Sequence, residues 1–241
     1  MKEIALRYPR SWEEVTSEDL KIIAKQMLCK RTREDFLFEV FCRINKVRVL
    51  FKQGLDEDTP SAVYHFKRKQ DQFSLSVEVI ATACEEMSFI LDEIGLPESP
   101  INSVNRKLYE ISFEQYFFAN TYYSRFVSDP DNGLEFLKLM VSTLTKRNCH
   151  SIKYDEAVEI RIWWDGLQKT LSEMYPNVLK LGEGDNGEQS SPAEVLTKML
   201  GVLNENHPER NKQILETDAH SVLQALENIY EQSKRLQNVK S

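Results

Sequence analysis

The stretch Asp155–Tyr175, DEAVEIRIWWDGLQKTLSEMY, constrains the fold of this chain more than any other. Ile160, Trp163, Trp164, Leu167, Leu171 and Met174 recur at the spacing that lines one side of an α-helix. Two of the three tryptophans stand at the centre of that stripe. Asp155 and Glu156 fall in the first turn, where carboxylates suit the positive end of the helix dipole. Pro176 stops the run, having no N–H to give to the preceding turn. A helix of this length is ~31 Å long, enough to cross a domain. An apolar rod of that size has to be enclosed by other elements. The sequence therefore predicts a mainly α protein, an irregular multi-helix bundle around a central Trp-containing helix.

The rest of the chain fits that frame. Only 8 Gly and 8 Pro occur in 241 residues, which favours helices over turn-rich β architecture. Thr16 caps a helix over Ser17–Cys29, and Thr32 with Asp35 starts one that runs to about Phe51, on a stripe of Phe36, Leu37, Val40, Phe41, Ile44, Val47 and Phe51. Ser76 caps a helix from Val77 to about Glu93. Ser112 and Gln115 form a capping box for a helix to Val127, whose seven Phe and Tyr side chains require cover on two sides. Helices follow over Leu134–Arg147, from Ser191-Pro192-Ala193-Glu194, near Pro208–Leu215, and from Ala219 to about Leu236.

Two segments alternate instead. Glu3–Tyr8 reads as a short strand, and Val63–Leu75 as a β-hairpin with Tyr64, Phe66, Phe73 and Leu75 on one face. Together they predict a small antiparallel sheet. The run Gly182–Ser190, GEGDNGEQS, lacks any apolar anchor and predicts a mobile loop or linker. The expected organisation is thus a helical core with its sheet over 1–181, a linker over 182–190, and C-terminal helices over 191–241 docked on the core.

Composition bounds function mainly by exclusion. The formal net charge of −7 disfavours general nucleic-acid binding, although a local basic patch is compatible with it. No apolar run reaches the ~18 residues of a membrane-spanning helix. Cys29, Cys42, Cys84 and Cys149 form no CxxC pair, and the N-terminus has no apolar signal run, so a reduced cytoplasmic setting is expected. Cys149-His150 is the only adjacent pair of soft ligands, and neither HExxH nor a Glu three residues before a His is present. Asp129-x-Asp131-x-Gly133 resembles a calcium loop, but its glycine comes one place early and no bidentate Glu follows. Nucleophile elbows and phosphate loops are missing too. The reading assigns no catalytic, cofactor-binding or metal residue and leaves oligomeric state open. Tyr64-His65-Phe66-Lys67-Arg68-Lys69 interleaves aromatic and basic residues as single-strand binding platforms do. The competing reading puts those aromatics in the core, with Phe73 and Leu75 sharing their face. The basic group Lys25, Lys30, Arg31 and Arg33 falls at a helix corner, where cations suit helix C-termini.

Several features in order resemble a group of phage- or prophage-encoded proteins of gut anaerobes. They are the opening Pro9-x-Ser11-Trp12-x-x-Val15-Thr16, the Phe- and Tyr-rich helix of Ser112–Val127, the Leu-rich Leu134–Arg147, the Trp-containing helix ending Tyr175-Pro176, and a Gly/Ser-rich gap before the last helices. Lys146-Arg147-Asn148-Cys149 departs from the Tyr-Arg-Pro type of ending that group has after its Leu-rich helix. The resemblance implies a protein partner and a role in tail or head–tail assembly, with no active site to carry over. Two alternatives stay open: an enzyme or small-ligand-binding domain built from dispersed residues near Trp163, Trp164 and the 113–126 aromatics, and, third, a nucleic-acid-binding protein.

Overall fold

The computed structural model describes residues 5–54, 62–101, 108–129, 133–179, 192–205 and 207–240, with side chains to 236. The expected linker at 182–190 lies outside the described residues, as do residues 130–132 of the Asp129–Gly133 turn. The chain is mainly α with one small antiparallel sheet, and it forms two compact units, Met1–Glu98 and Ser99–Ser241. That division falls in the Pro97–Pro100 stretch, inside what the sequence reading takes as one core over 1–181.

The N-terminal unit opens with a turn at Trp12–Glu14, then helices α1 (Ser17–Met27) and α2 (Arg33–Ile44). Thr16 and Asp19 cap α1 reciprocally, and the Thr32 hydroxyl accepts from the Asp35 amide at the start of α2. Strands β1 (Arg48–Gln53), β2 (Val63–Arg68) and β3 (Asp71–Ser76) follow, then α3 (Val77–Glu86) and α4 (Phe89–Asp92). Here α2 packs against both α1 and α3. The sheet order is β1-β2-β3, antiparallel throughout, with Tyr64 opposite Leu75 and Phe66 opposite Phe73. Those four side chains share one face, as the hairpin reading predicts. Phe66 is fully buried, with Phe73 stacked on it and Phe38 of α2 against it.

Two expectations are corrected here. The third strand is Arg48–Gln53, not an N-terminal segment. Residues 5–8 are irregular, and 1–4 lie outside the described residues. The segment is held instead by side chains: Arg7 forks onto Asp19, Arg68 donates to the Ala5 carbonyl, Asn45 Oδ1 accepts from the Arg7 N–H, and Asn45 Nδ2 donates to the Arg7 carbonyl, the last two each at 2.8 Å. A buried asparagine thus imitates a strand neighbour. The second correction is the end of α2. Lys46 takes a left-handed conformation (φ 54°), the Lys46 N–H bonds to Arg43 O, and the Val47 N–H bonds back to Cys42 O. That is the Schellman pattern, which usually employs glycine. It stops the helix at Ile44 and frees residues 48–53 to pair with β2.

The C-terminal unit contains α5 (Phe113–Ser128), α6 (Gly133–Thr145), a turn at Cys149–Ser151, α7 (Tyr154–Met174), α8 (Pro176–Leu179), α9 (Pro192–Leu203), a turn at Pro208–Arg210, α10 (Asn211–Glu216) and α11 (Ala219–Lys240). Trp163, Trp164, Leu167 and Leu171 of α7 are all 0 % exposed, while Met174 at its end is partly open. The aromatic helix α5 meets α6 along one side and α10 and α11 along others. Its Phe113 and Tyr116 are buried, although Phe118 faces solvent. Backbone bonds from Phe113 N to Thr217 O (2.8 Å) and from Ala219 N to Ile111 O (2.9 Å) tie the start of α5 to the start of α11. Pro176 ends α7 and also begins α8, whose free N–H groups are met by a distant residue. The buried Glu227 carboxylate of α11 accepts from the Asn177 and Val178 amides at 3.1–3.2 Å. Among the described residues no helix is long and apolar enough to cross a membrane.

Candidate functional site

The N-terminal unit carries a groove of about 560 Å³, a size that suits a small ligand or two to three inserted side chains. Its floor is apolar. Leu37 and Phe38 come from α2, Tyr64 from β2, and Val77, Ile80, Ala81 and Cys84 from α3. Two local features open it. Phe38 lies off the buried Phe36–Leu37–Val40–Phe41 stripe, leaning on Tyr64 with ring centroids 5.1 Å apart. Ala81 is exposed and too small to fill the space beside it.

The rim is charged and asymmetric. Arg33, Glu34 and Asp35 from the first turn of α2 stand on one side, and Glu85 and Ser88 on the other. Arg33 is committed elsewhere: both ends of its guanidinium bond to Asp92, Nη1 to Oδ1 at 2.6 Å and Nη2 to Oδ2. This fork holds the Asp92 carboxyl below its ordinary range and raises the arginine. Glu34, Asp35 and Glu85 make no salt bridge with another described residue. The groove is therefore an apolar trough edged by three unbridged carboxylates.

Chemically, the one thiol in the lining is Cys84. Burial pushes its thiol above the ordinary value, and burial pushes the neighbouring Cys42 up to about 12. A thiol raised in this way is protonated at neutral pH, and the thiolate is the reactive form. Iodoacetamide at pH 7.5 is thus expected to modify exposed Cys29 first, Cys84 about tenfold or more slowly, and Cys42 only after unfolding. Peptide mapping over a time course checks the order. A Cys84 that reacts as fast as Cys29 would show an activated thiol and favour a catalytic role for the groove.

The other sequence candidates are dispersed. Cys149 and His150 sit in the turn before α7, and no group of three or more His, Cys, Asp or Glu among the described residues has metal-binding placement. In the basic corner, Arg31 pairs with Glu39 and Arg33 with Asp92. Trp163 and Trp164 are enclosed, in edge contact with each other at 6.0 Å and with Tyr116 5.9 Å from Trp164. Nothing from solvent touches those rings, so they are core and not the wall of an open site. Nearby, Asp165 accepts from the Tyr123 hydroxyl at 2.5 Å and forms an ion pair with Arg161, Nε lying 2.9 Å away without hydrogen-bond geometry. Burial raises this carboxyl, while Arg161 and Tyr123 draw it back. At the end of α7 the Tyr175 hydroxyl shares a 2.6 Å bond with His220 Nδ1, and Tyr109 covers the imidazole. Burial pushes Tyr175 up to about 12, so its hydroxyl keeps its proton in this clasp between α7 and α11.

Sequence reasoning passed over the groove. Its one legible signal was Phe38, a large aromatic off the helix's apolar stripe. The open space beside Ala81 depends on the α2–α3 packing, which no local pattern encodes. Comparison with known protein families, with characterised proteins and with solved structures finds no match for this chain.

Proposed function

We propose that this chain works by binding another protein and not by catalysis, with the α2–α3 groove receiving an apolar segment of that partner. The observation that carries the reading is the groove itself, with its apolar floor, its protonated thiol and its rim of unbridged Glu34, Asp35 and Glu85. Carboxylates around an apolar trough favour a partner segment that flanks its apolar anchor with Lys or Arg, because complementary charge sets register and orientation. The resemblance to phage-encoded proteins supports assembly of a virion tail or head–tail joint as the setting, and the proteins encoded beside this one as the first partners to try.

The test uses the full chain as bait against those neighbouring products, with two variants at one exposed position. Ala81→Phe fills the trough without touching the core, whereas Ala81→Ser leaves it open. Ala81→Phe is expected to weaken capture about tenfold or more, the scale of one lost anchor contact, and Ala81→Ser to change it little. Retention of the partner by Ala81→Phe at full strength, or failure to capture any neighbouring product, would rule the reading out.

A further inference from the structure

The outer face of the sheet, opposite the core, carries a different chemistry. Phe51 and His65 are cross-strand partners on that face, and their rings stack with centroids 4.2 Å apart and planes 23° from parallel. The imidazole is clamped from both sides: Nε2 donates to Gln53 Oε1 at 3.1 Å, and Nδ1 meets the Ser74 hydroxyl at 2.8 Å. Phe51 rests on this fixed plate and remains 55 % exposed. Farther along the same face, Arg48 lies directly opposite Lys67, both exposed and neither in a salt bridge with a described residue.

Two like charges set directly opposite each other destabilise a strand pair. Lysines are often placed on sheet edges to prevent aggregation, but Lys67 belongs to β2, the middle strand. That protective role does not explain it. Over residues 46–53 and 63–76 the sequence has six Lys and Arg, namely Lys46, Arg48, Lys52, Lys67, Arg68 and Lys69, against the single carboxylate Asp71, in a chain whose net charge is −7. Some of those cations are engaged. Lys46 bridges Glu18, Lys52 lies over the Tyr64 ring on the inner face, and Arg68 donates to the Ala5 carbonyl. Lys69 lies in the turn between β2 and β3, so Arg48 and Lys67 are what remain on the outer face beside the aromatic plate. The acidic run Asp56–Asp58 lies outside the described residues.

We propose that this outer face binds single-stranded nucleic acid, with a base stacked on Phe51 and the backbone phosphate held by Arg48 and Lys67. Exposed aromatic plates beside cations are how sheets grip single strands, since every base has a π-face. A duplex keeps its bases stacked inside and cannot offer one to Phe51. The platform differs from the one read in the sequence: Tyr64 and Phe66 turn inward, and the stacking residue is Phe51 of the neighbouring strand.

The full chain is titrated against fluorescein-labelled dT12 and rU12, followed by fluorescence anisotropy from 50 to 300 mM salt. Binding is expected to weaken with salt, with a log–log slope of about −1.4 for two phosphate contacts on a single strand. Phe51→Ala is expected to lower affinity about 5- to 100-fold with the salt slope kept, since one base stack is removed. Arg48→Ala with Lys67→Ala flattens the slope. All three positions are solvent-exposed, and a cooperative denaturation transition with the circular dichroism of the parent chain confirms that each variant is folded. No binding at 50 mM salt, or binding indifferent to both sets of changes, overturns the proposal. So does polyglutamate competing charge for charge while Phe51→Ala has no effect, because the face would then serve an acidic polypeptide.

Discussion

Replacing Trp163 or Trp164 by alanine is expected to lower the stability of the C-terminal unit by about 3–5 kcal/mol each, enough to unfold a marginal domain. Both indoles are 0 % exposed at the middle of α7, and truncation leaves a cavity that the flanking helices close only in part. Phenylalanine at the same positions should behave differently. Neither indole N–H has a hydrogen-bond partner among the described residues, and the Tyr116 hydroxyl and Gln168 amide share that state. Burial pushes Tyr116 up to about 12, and the nearby Gln168 amide draws it back without reaching hydrogen-bond geometry. A buried unpaired N–H costs about 1–3 kcal/mol. Trp→Phe removes that cost while giving up part of the packing, so its net effect should stay within about 1.5 kcal/mol. Denaturant melts followed by circular dichroism distinguish the two substitutions. A Trp→Phe loss equal to the Trp→Ala loss would mean that the N–H groups are satisfied and contribute.

The same helix shows which parts of the structure were written locally. Its stripe, its acidic first turn and its proline stop are short-range features, and they place α7 within a residue of its observed ends. The caps are equally local. The hydroxyls of Thr16, Thr32, Ser76 and Ser112 each accept from the amide three residues on, as their spacing predicts. Where the reading fails, a long-range or non-glycine feature decides. Ile44, Val47 and Phe51 satisfy a helical period, yet Lys46 adopts a left-handed turn that nothing in its side chain announces. That one turn converts 48–53 from helix to strand, moves Phe51 from a supposed core stripe to the outer sheet face, and displaces the N-terminal segment from the sheet. The helix expected over 77–93 is likewise broken, at Met87–Ser88, into α3 and α4. The groove and the Phe51–His65 plate each depend on residues from elements that meet only in three dimensions, so neither had a spacing to betray it.

Gly95→Ala is expected to cost the N-terminal unit about 2–4 kcal/mol, although it adds a single methyl group. A Cβ at Gly95 would stand 2.1 Å from Trp12 Cδ1, 2.4 Å from Cγ and 2.8 Å from Trp12 Cβ. The last of these is anchored to backbone and cannot swing away. The indole has nowhere better to go: it is buried, it sits edge-on to Phe89 at 5.5 Å, and its N–H donates to the Glu93 carbonyl at 3.1 Å. Relief requires expelling the ring, which forfeits those contacts. The loss from Gly95→Ala is therefore bounded by the loss from Trp12→Ala, about 3–5 kcal/mol. The bound makes the idea testable as a double-mutant cycle. With Trp163 and Trp164 both changed to Phe, Trp12 is the only fluorophore of its kind, so its emission follows the N-terminal unit alone. In that background Gly95→Ala should red-shift the native emission as the indole leaves its pocket. In a Trp12→Ala chain, followed by circular dichroism, the same substitution should cost almost nothing, because the atoms it would strike are gone. An undiminished penalty there would place the strain in the backbone at residue 95 and not in the contact with Trp12.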